Sequence, residues 1–265
     1  MKILTKINSI FYKFRVLGFT YIYLKIKHVF FVKKLPFSDE LNHLIDGKIG
    51  IEVGGPSPIF TDTGFVPIYK NIKQLDTFNY SNHTIWEGEI FDQNKFEFYE
   101  NKYGKQFISE ASHLKGVKDE SIDFIISSNC LEHVANPFKA IEEWLRVLKV
   151  NGIVVLILPQ KKCCFDHKRP YTNFVHLLSD FENHIDEYDT THYNEIISLH
   201  DLKLDFLAGS RDNFIERCQK NFENRGMHHH VFSLSLLEKI FSHFGIHILY
   251  SYEGMELIII GRKSK

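Results

Sequence analysis

The sequence predicts an α/β fold built as a doubly wound, mostly parallel sheet, and three features predict it. The run Ile49-Gly50-Ile51-Glu52-Val53 closes on Gly54-Gly55, the pattern of a buried strand entering a tight turn. Residues 122–159 read as strand, helix and strand, a βαβ unit whose Val-, Ile- and Leu-rich strands require cover on both faces. At the end of the chain only Glu253-Gly254 separates two apolar runs, so they must form an antiparallel hairpin.

Seven strands follow from these patterns, at 49–53, 72–76, 106–109, 122–128, 152–159, 246–252 and 255–261. A helix over 137–149 has apolar residues at helical spacing, Asn136 as N-cap, Pro137 at its first position and Asn151-Gly152 as its stop. Ser233 caps a second helix, ending at His243, that returns the chain to the sheet. Before the sheet, residues 1–36 interleave basic with aromatic and aliphatic positions and read as one or two amphipathic helices ended by Pro36. The remainder, 37–265, forms one domain with an inserted cap at about 160–232, because 73 residues without strand alternation exceed any ordinary loop.

Composition agrees with a globular chain: of 265 residues, 44% are hydrophobic and 25% charged. A net charge of −1 offers no positive field for nucleic acid. The charge is unevenly placed, with eight basic and no acidic residues through Lys34, leaving 24 basic against 33 acidic beyond it. That N-terminal unit has two readings, contact with an anionic membrane surface or a helix packed on the domain with its lysines in water. No apolar stretch is long enough to span a bilayer. The four cysteines lack paired metal spacing, which suits reduced thiols and a cytoplasmic setting, with the inner membrane surface open to residues 1–36.

The first strand's glycine turn lies where open α/β sheets bind ligands. Two glycines allow close approach to the backbone, and Pro56 or Pro58 can open a helix. Asp76, ending the second strand, is suited to accept hydrogen bonds from ribose hydroxyls. Ser127-Ser128-Asn129-Cys130-Leu131-Glu132-His133 then joins the fourth strand to the long helix. The order Glu-x-Gly-Gly, strand-end Asp, Glu110-Ala111, Leu-Glu-His-Val, Pro-Phe-Lys-Ala-Ile-Glu-Glu and Leu-Pro resembles the class I S-adenosylmethionine-dependent methyltransferases over about 49–159, resuming in the terminal helix and hairpin. The resemblance implies a Rossmann-like seven-stranded sheet with the last strand antiparallel. It implies that Glu52, Gly54 and Gly55 meet the methionine part of S-adenosylmethionine, Asp76 the ribose, Glu110 and Ala111 the adenine, and Ser128 or Asn129 the methionine end, with Pro56 also at the cofactor. The usual third glycine of the turn is replaced here by the Pro56-Ser57-Pro58 run.

Methyl transfer from a sulfonium is an in-line displacement that needs alignment and exclusion of water, while a sugar hydroxyl also needs a base or a metal. The cap holds eight of the 15 histidines in 73 residues, about twice its share. His167, directly after the fifth strand, is a candidate general base, and His133 a secondary one at the cofactor edge. Alternatively His167, His192 and one of the 228–230 histidines, with His230 as the candidate, hold a divalent transition metal. Arg169 is placed to hold a phosphate of an activated sugar, and His192 to contact the acceptor. Asp-His-x-Arg-Pro-x-Thr followed by His-x-x-x-Val-Phe resembles methyltransferases of bacterial surface-polysaccharide biosynthesis, which implies an activated or phosphorylated sugar precursor and O-methylation. Two other classes compete: a non-catalytic methyltransferase-like scaffold, which intact Glu52, Asp76 and Glu132 oppose, and a nicotinamide oxidoreductase, which the missing fingerprint glycine opposes. Another small-metabolite acceptor is the alternative substrate class.

Overall fold

In the computed structural model, which describes residues 2–84, 88–92 and 94–264, one twisted sheet organises the chain. Its strands are β1 (Ile49–Val53), β2 (Gln74–Asn79), β3 (Lys95–Tyr99), β4 (Lys102–Ile108), β5 (Ile122–Ser128), β6 (Leu148–Pro159), β7 (Ile246–Glu253) and β8 (Glu256–Lys263). They lie in the order β3-β4-β2-β1-β5-β6-β8-β7. The five strands β4, β2, β1, β5 and β6 are parallel to their neighbours in that run, while β8 is antiparallel to both β6 and β7. This is a doubly wound, Rossmann-like sheet ending in the expected hairpin. It has eight strands rather than seven, because Lys95–Tyr99 adds an antiparallel edge against β4.

Period-two alternation divides the apolar residues between two cores. Ile51, Val53, Ile125, Val154, Leu156, Leu158, Leu257 and Ile259 face one side. Phe124, Ile126, Ile153, Val155, Ile157, Ile258 and Ile260 face the other. The first side is covered by α3 (Pro137–Val147) and α8 (Leu234–His243), and the second by α2 (Ser38–Ile45) and the chain between β1 and β2. Helix α3 forms as its sequence requires: Asn136 Oδ1 accepts from the Lys139 amide at 3.1 Å, and Phe138, Ile141, Trp144 and Val147 are buried along one stripe. It ends two residues before the expected 149, since Leu148 already begins β6 and Asn151, at φ 64°, marks the register break against β5.

Two other expectations need correction. No helix follows the glycine turn; Pro58–Phe60 forms a single 3-10 turn, and a second one spans Tyr69–Asn71. Strand β2 starts and ends later than 72–76, so its tip is Asn79, and Asp76 pairs with Ile51 in mid-strand.

The N-terminal helix α1 (Lys2–Ile26) is kinked at Gly18, where φ is 69°, and passes into a π-helical turn at Lys27–Phe31. The side chains of 2–11 lie outside the described residues. From Tyr12 on the helix touches the domain, with the Tyr12 hydroxyl donating to Asp201 at 3.0 Å. Between β6 and α8 the chain makes α4 (Phe174–Glu182), α5 (Tyr193–Leu199), α6 (Arg211–Gln219) and α7 (Asn221–Asn224). All four cysteines are free.

Trp144 is buried in the first core and donates from Nε1 to the Ala111 carbonyl at 2.9 Å. Trp144→Ala is expected to cost about 3–5 kcal/mol of stability, the range for aromatic truncation in a core. Urea denaturation checks this, and a loss below about 1 kcal/mol would mean that α3 is not seated as described.

Candidate active site

A cavity of about 710 Å³ opens at the carboxyl ends of β1, β2, β4 and β5, beneath the chain that follows β6. Its size is that of a small-molecule site, and its position is where parallel sheets bind ligands. The turn after β1 forms one wall. Gly54 has φ 81°, and a side chain there would drive its Cβ to 2.7 Å from that of Cys130; at Gly55 a Cβ would meet the Glu52 carboxyl at 2.0 Å. Glycine is therefore required at both positions for different reasons, backbone conformation with close approach at the first and the buried acid at the second.

The cavity wall includes Gly54, Pro56, Glu110, Ala111, Ser128, Asn129 and His133, as the sequence suggested. Asn129 holds φ 50°, a left-handed conformation that asparagine tolerates, and its amide donates to Ile157. Glu52 and Gly55 lie behind the wall: Glu52 is fully buried and accepts from the Tyr69 hydroxyl at 2.6 Å, so it braces the turn from below. Asp76 is also absent from the cavity. Its carboxylate accepts from the Lys105 amide at 2.9 Å, and the strand-tip position belongs to Asn79, whose Nδ2 donates to the Gly55 carbonyl at 2.8 Å. The three-residue shift of β2 is the cause.

The cap histidines are redistributed. His167 points away from the cavity, with Nε2 3.1 Å from Asp201 beside the N-terminal helix. Arg169 is 1% exposed and engaged by Asp166, Glu195 and the carbonyls of His228 and His229. It is a structural clamp, with four of its five N–H donors spent on the cap itself. His192 and His230 do meet, but their third partner is His176 rather than His167, and the cluster lies off the cavity wall.

Three ionisable residues not assigned to the cavity from sequence, Glu132, His228 and Glu256, line it, with Asp166 behind His228. Glu132 is 1% exposed, lines the cavity, and neither of its carboxylate oxygens is hydrogen-bonded to another residue. Burial pushes its carboxyl up to about 7. Glu256, at the start of β8, is raised to about 8 by burial and by the nearby Glu132. His228 lies opposite. Its Nδ1 is 2.5 Å from Asp166, and although burial opposes charge on the ring, Asp166 holds its pKa above the ordinary histidine value. Asp166 in turn is lowered to about 2, burial being outweighed by His228 and Arg169. His133 anchors Nδ1 on the Met227 carbonyl at 2.9 Å, and burial together with His228 holds it far below the usual histidine range. A neutral His133 therefore faces a His228–Asp166 pair and a poised acid, with one donor atom from each of Glu132, His133 and His228 within 4.8 Å of the others. The sequence signals were present in Leu-Glu-His and in the 228–230 run, but nothing in the spacing singled out the first of three histidines.

The remaining wall has an apolar mouth, where Phe206 is 92% exposed, and two ion-paired arginines, Arg217 with Asp205 and Arg225 with Glu110 and Glu187.

Residues 88–156 match the family model described as a methyltransferase domain, a stretch that contains Glu110, Ala111, Ser128, Asn129, Glu132 and His133. No curated protein matches the chain. Among solved structures, a methyltransferase from Aquifex aeolicus described as S-adenosylmethionine-dependent is 13% identical, with 90% of this chain and 92% of that one covered at a TM-score of 0.44. A protein from Listeria monocytogenes described as a putative enzyme of the same class is 11% identical, covering 86% and 96% at 0.48. The 1,6-didemethyltoxoflavin-N1-methyltransferase of Burkholderia thailandensis, solved with its substrate and S-adenosylhomocysteine, is 12% identical, covering 87% and 77% at 0.46. The family match over that stretch supports the methyltransferase reading.

The raised carboxyl of Glu256 sets a pH dependence. A group with pKa 4.5 when unfolded and about 8 when folded binds more protons in the native state, so stability falls as pH rises between those values. Glu256→Gln should flatten that fall and exceed the parent in stability above about pH 8. Thermal midpoints of both chains on either side of that pH test it, and parallel profiles would contradict it.

Proposed function

We propose that this chain is an S-adenosylmethionine-dependent methyltransferase acting on a hydroxyl group of a sugar-like small molecule. The observation that carries the reading is the buried Glu132 carboxylate, unpaired with any other residue, at the floor of a ligand-sized cavity whose walls are the strand tips and the glycine turn. A carboxylate is costly to bury without partners, so its retention at that position points to work on a substrate proton.

The residues present fit the cofactor. Gly54, Pro56, Ser128 and Asn129 would hold its methionine end, Asn79 at the strand tip would take the ribose role first expected of Asp76, and Glu110 with Ala111 would face the adenine. When bound it supplies an electrophilic methyl group. The chain's own contribution is to orient the acceptor, exclude water and remove a proton. Glu132, poised near 7, accepts the hydroxyl proton as the oxygen becomes nucleophilic, and the His228 ring, kept protonated by Asp166, faces the developing negative charge. With Arg169 committed to the cap and the two cavity-lining arginines, Arg217 and Arg225, already ion-paired with Asp205 and with Glu110 and Glu187, the site favours the uncharged polyhydroxy part of the acceptor. A precursor of a bacterial surface polysaccharide fits that description and the motif resemblance of the cap.

The N-terminal segment supports a second property, contact with an anionic membrane surface. Phe19, Tyr23 and Phe30 are 84%, 64% and 71% exposed among the exposed Lys25 and Lys33, and no helix among the described residues is long and apolar enough to cross a membrane. Sedimentation with phosphatidylserine vesicles should retain the full chain and lose a chain deleted through residue 36; equal sedimentation of both removes the role.

Two measurements test the activity. S-adenosylhomocysteine should bind in calorimetry, and absence of heat at millimolar ligand ends the proposal. Glu132→Gln should keep that binding and lose about 10²–10⁴-fold in methyl-transfer rate, the usual contribution of general-base catalysis. The parent rate should rise with pH to a plateau above about 7, a limb missing from the variant.

A further inference from the structure

Outside the cavity, three histidines and an aspartate converge inside the cap. His176 and Asp180 lie one turn apart on α4, His192 sits at the N-terminus of α5, and His230 belongs to the run that enters α8. His176 Nε2 is 2.9 Å from His192 Nε2 and 3.3 Å from Asp180 Oδ2, while His230 Nε2 is 3.8 Å from the same oxygen. One ring nitrogen from each histidine falls within 4.8 Å of the others. Donors in a tetrahedral zinc site, with bonds of about 2.0–2.2 Å, stand about 3.3 Å apart, close to the 2.9 and 3.3 Å separations around His176 Nε2.

A set of ordinary hydrogen bonds does not account for the cluster. The contact between His176 and His192 can hold a single proton, which satisfies two nitrogens. His230, 1% exposed, has Nε2 3.1 Å from the Ala135 carbonyl, which takes the proton of that nitrogen; Nδ1 is then a lone-pair donor, buried and without a hydrogen-bond partner. Asp180 Oδ2 is also buried and accepts no hydrogen bond. Lone pairs on imidazoles and a carboxylate are left facing one another, an arrangement that a cation resolves. The Ala135 carbonyl is the kind of outer partner that fixes the ring of a metal-bound histidine.

We infer that His176, Asp180, His192 and His230 form a closed structural site for a divalent transition metal, zinc being the ion this donor set suits best. Need for it follows from the cap's thin core. Apart from the two sheet cores, the cap's own buried apolar cluster is Ile196, Ala208, Phe214, Cys218 and Met227, few residues to fix a 73-residue insertion. The metal ties α4, α5 and the 226–232 segment together, and so sets the position of His228 two residues away. The ligands differ from the triad expected from sequence by the exchange of His167 for His176 and the addition of Asp180.

The test uses the full purified chain and reads metal directly, independent of methyl transfer. Elemental analysis should find about one zinc per chain, retained through gel filtration. After chelation, cobalt(II) titration should restore one equivalent with the visible absorption of a four-coordinate site, and the thermal midpoint should fall on metal removal and recover on its return. His192→Ala and Asp180→Asn should weaken metal binding by at least about 100-fold, whereas Glu132→Gln should leave it unchanged. A chain that holds no stoichiometric metal and shows no cobalt absorption on titration overturns the inference, even if the variants fold poorly. Loss of metal in Glu132→Gln with retention in His192→Ala also overturns it, by moving the ion to the cavity.

Discussion

The buried guanidinium of Arg169 is the interaction on which the arrangement of cap over sheet depends. It donates to two carboxylates on its own side of the cap and to two consecutive backbone carbonyls of the segment that returns to α8. A cation taken out of water needs paired, well-placed acceptors, and here four of its five N–H donors are met by partners that include carbonyls about 60 residues away in the chain. The same bonds place Asp166 behind His228, so the charge that closes the cap also determines the state of the imidazole at the cavity. Replacing the arginine by lysine would not keep this geometry, since a single ammonium cannot reproduce the planar fork.

Much of the sheet was legible because alternation is a local property. Residues 153–158 send successive side chains to opposite cores, and both the βαβ unit and the terminal hairpin follow from short-range rules. The second strand shows where locality fails. Ile72 and Leu75 made 72–76 look like a strand, yet Ile72 caps a 3-10 turn and pairing continues through Thr77, Phe78 and Asn79. Three residues of slip were enough to put an asparagine rather than an aspartate at the strand tip that lines the cavity. The edge strand was readable too, since Lys95-Phe96-Glu97-Phe98 alternates, but it was overlooked, and the expected 106–109 caught only the second half of the partner strand it reaches through the tight turn at Glu100-Asn101.

The cap was less legible for a physical reason. Its residues follow no period that would assign them a direction, so histidine enrichment revealed that the segment carries chemistry without indicating which ring faces where. His167 is adjacent to Asp166 in sequence but points to the N-terminal helix, while Asp166 faces inward. Glu132 was visible as part of Leu-Glu-His; its isolation from partners depends on the folded surroundings and has no signature in the chain.

Three consecutive imidazoles illustrate how tightly this segment is specified. His228 meets Asp166 at the cavity, His229 approaches Asn221, and His230 reaches Ala135 and Asp180. Each neighbour in sequence has a separate address in space, with no residue between them to absorb a shift. Inserting or deleting a single amino acid in this run would hand every ring its neighbour's surroundings, so homologous chains should vary in length almost anywhere in the cap before they vary here.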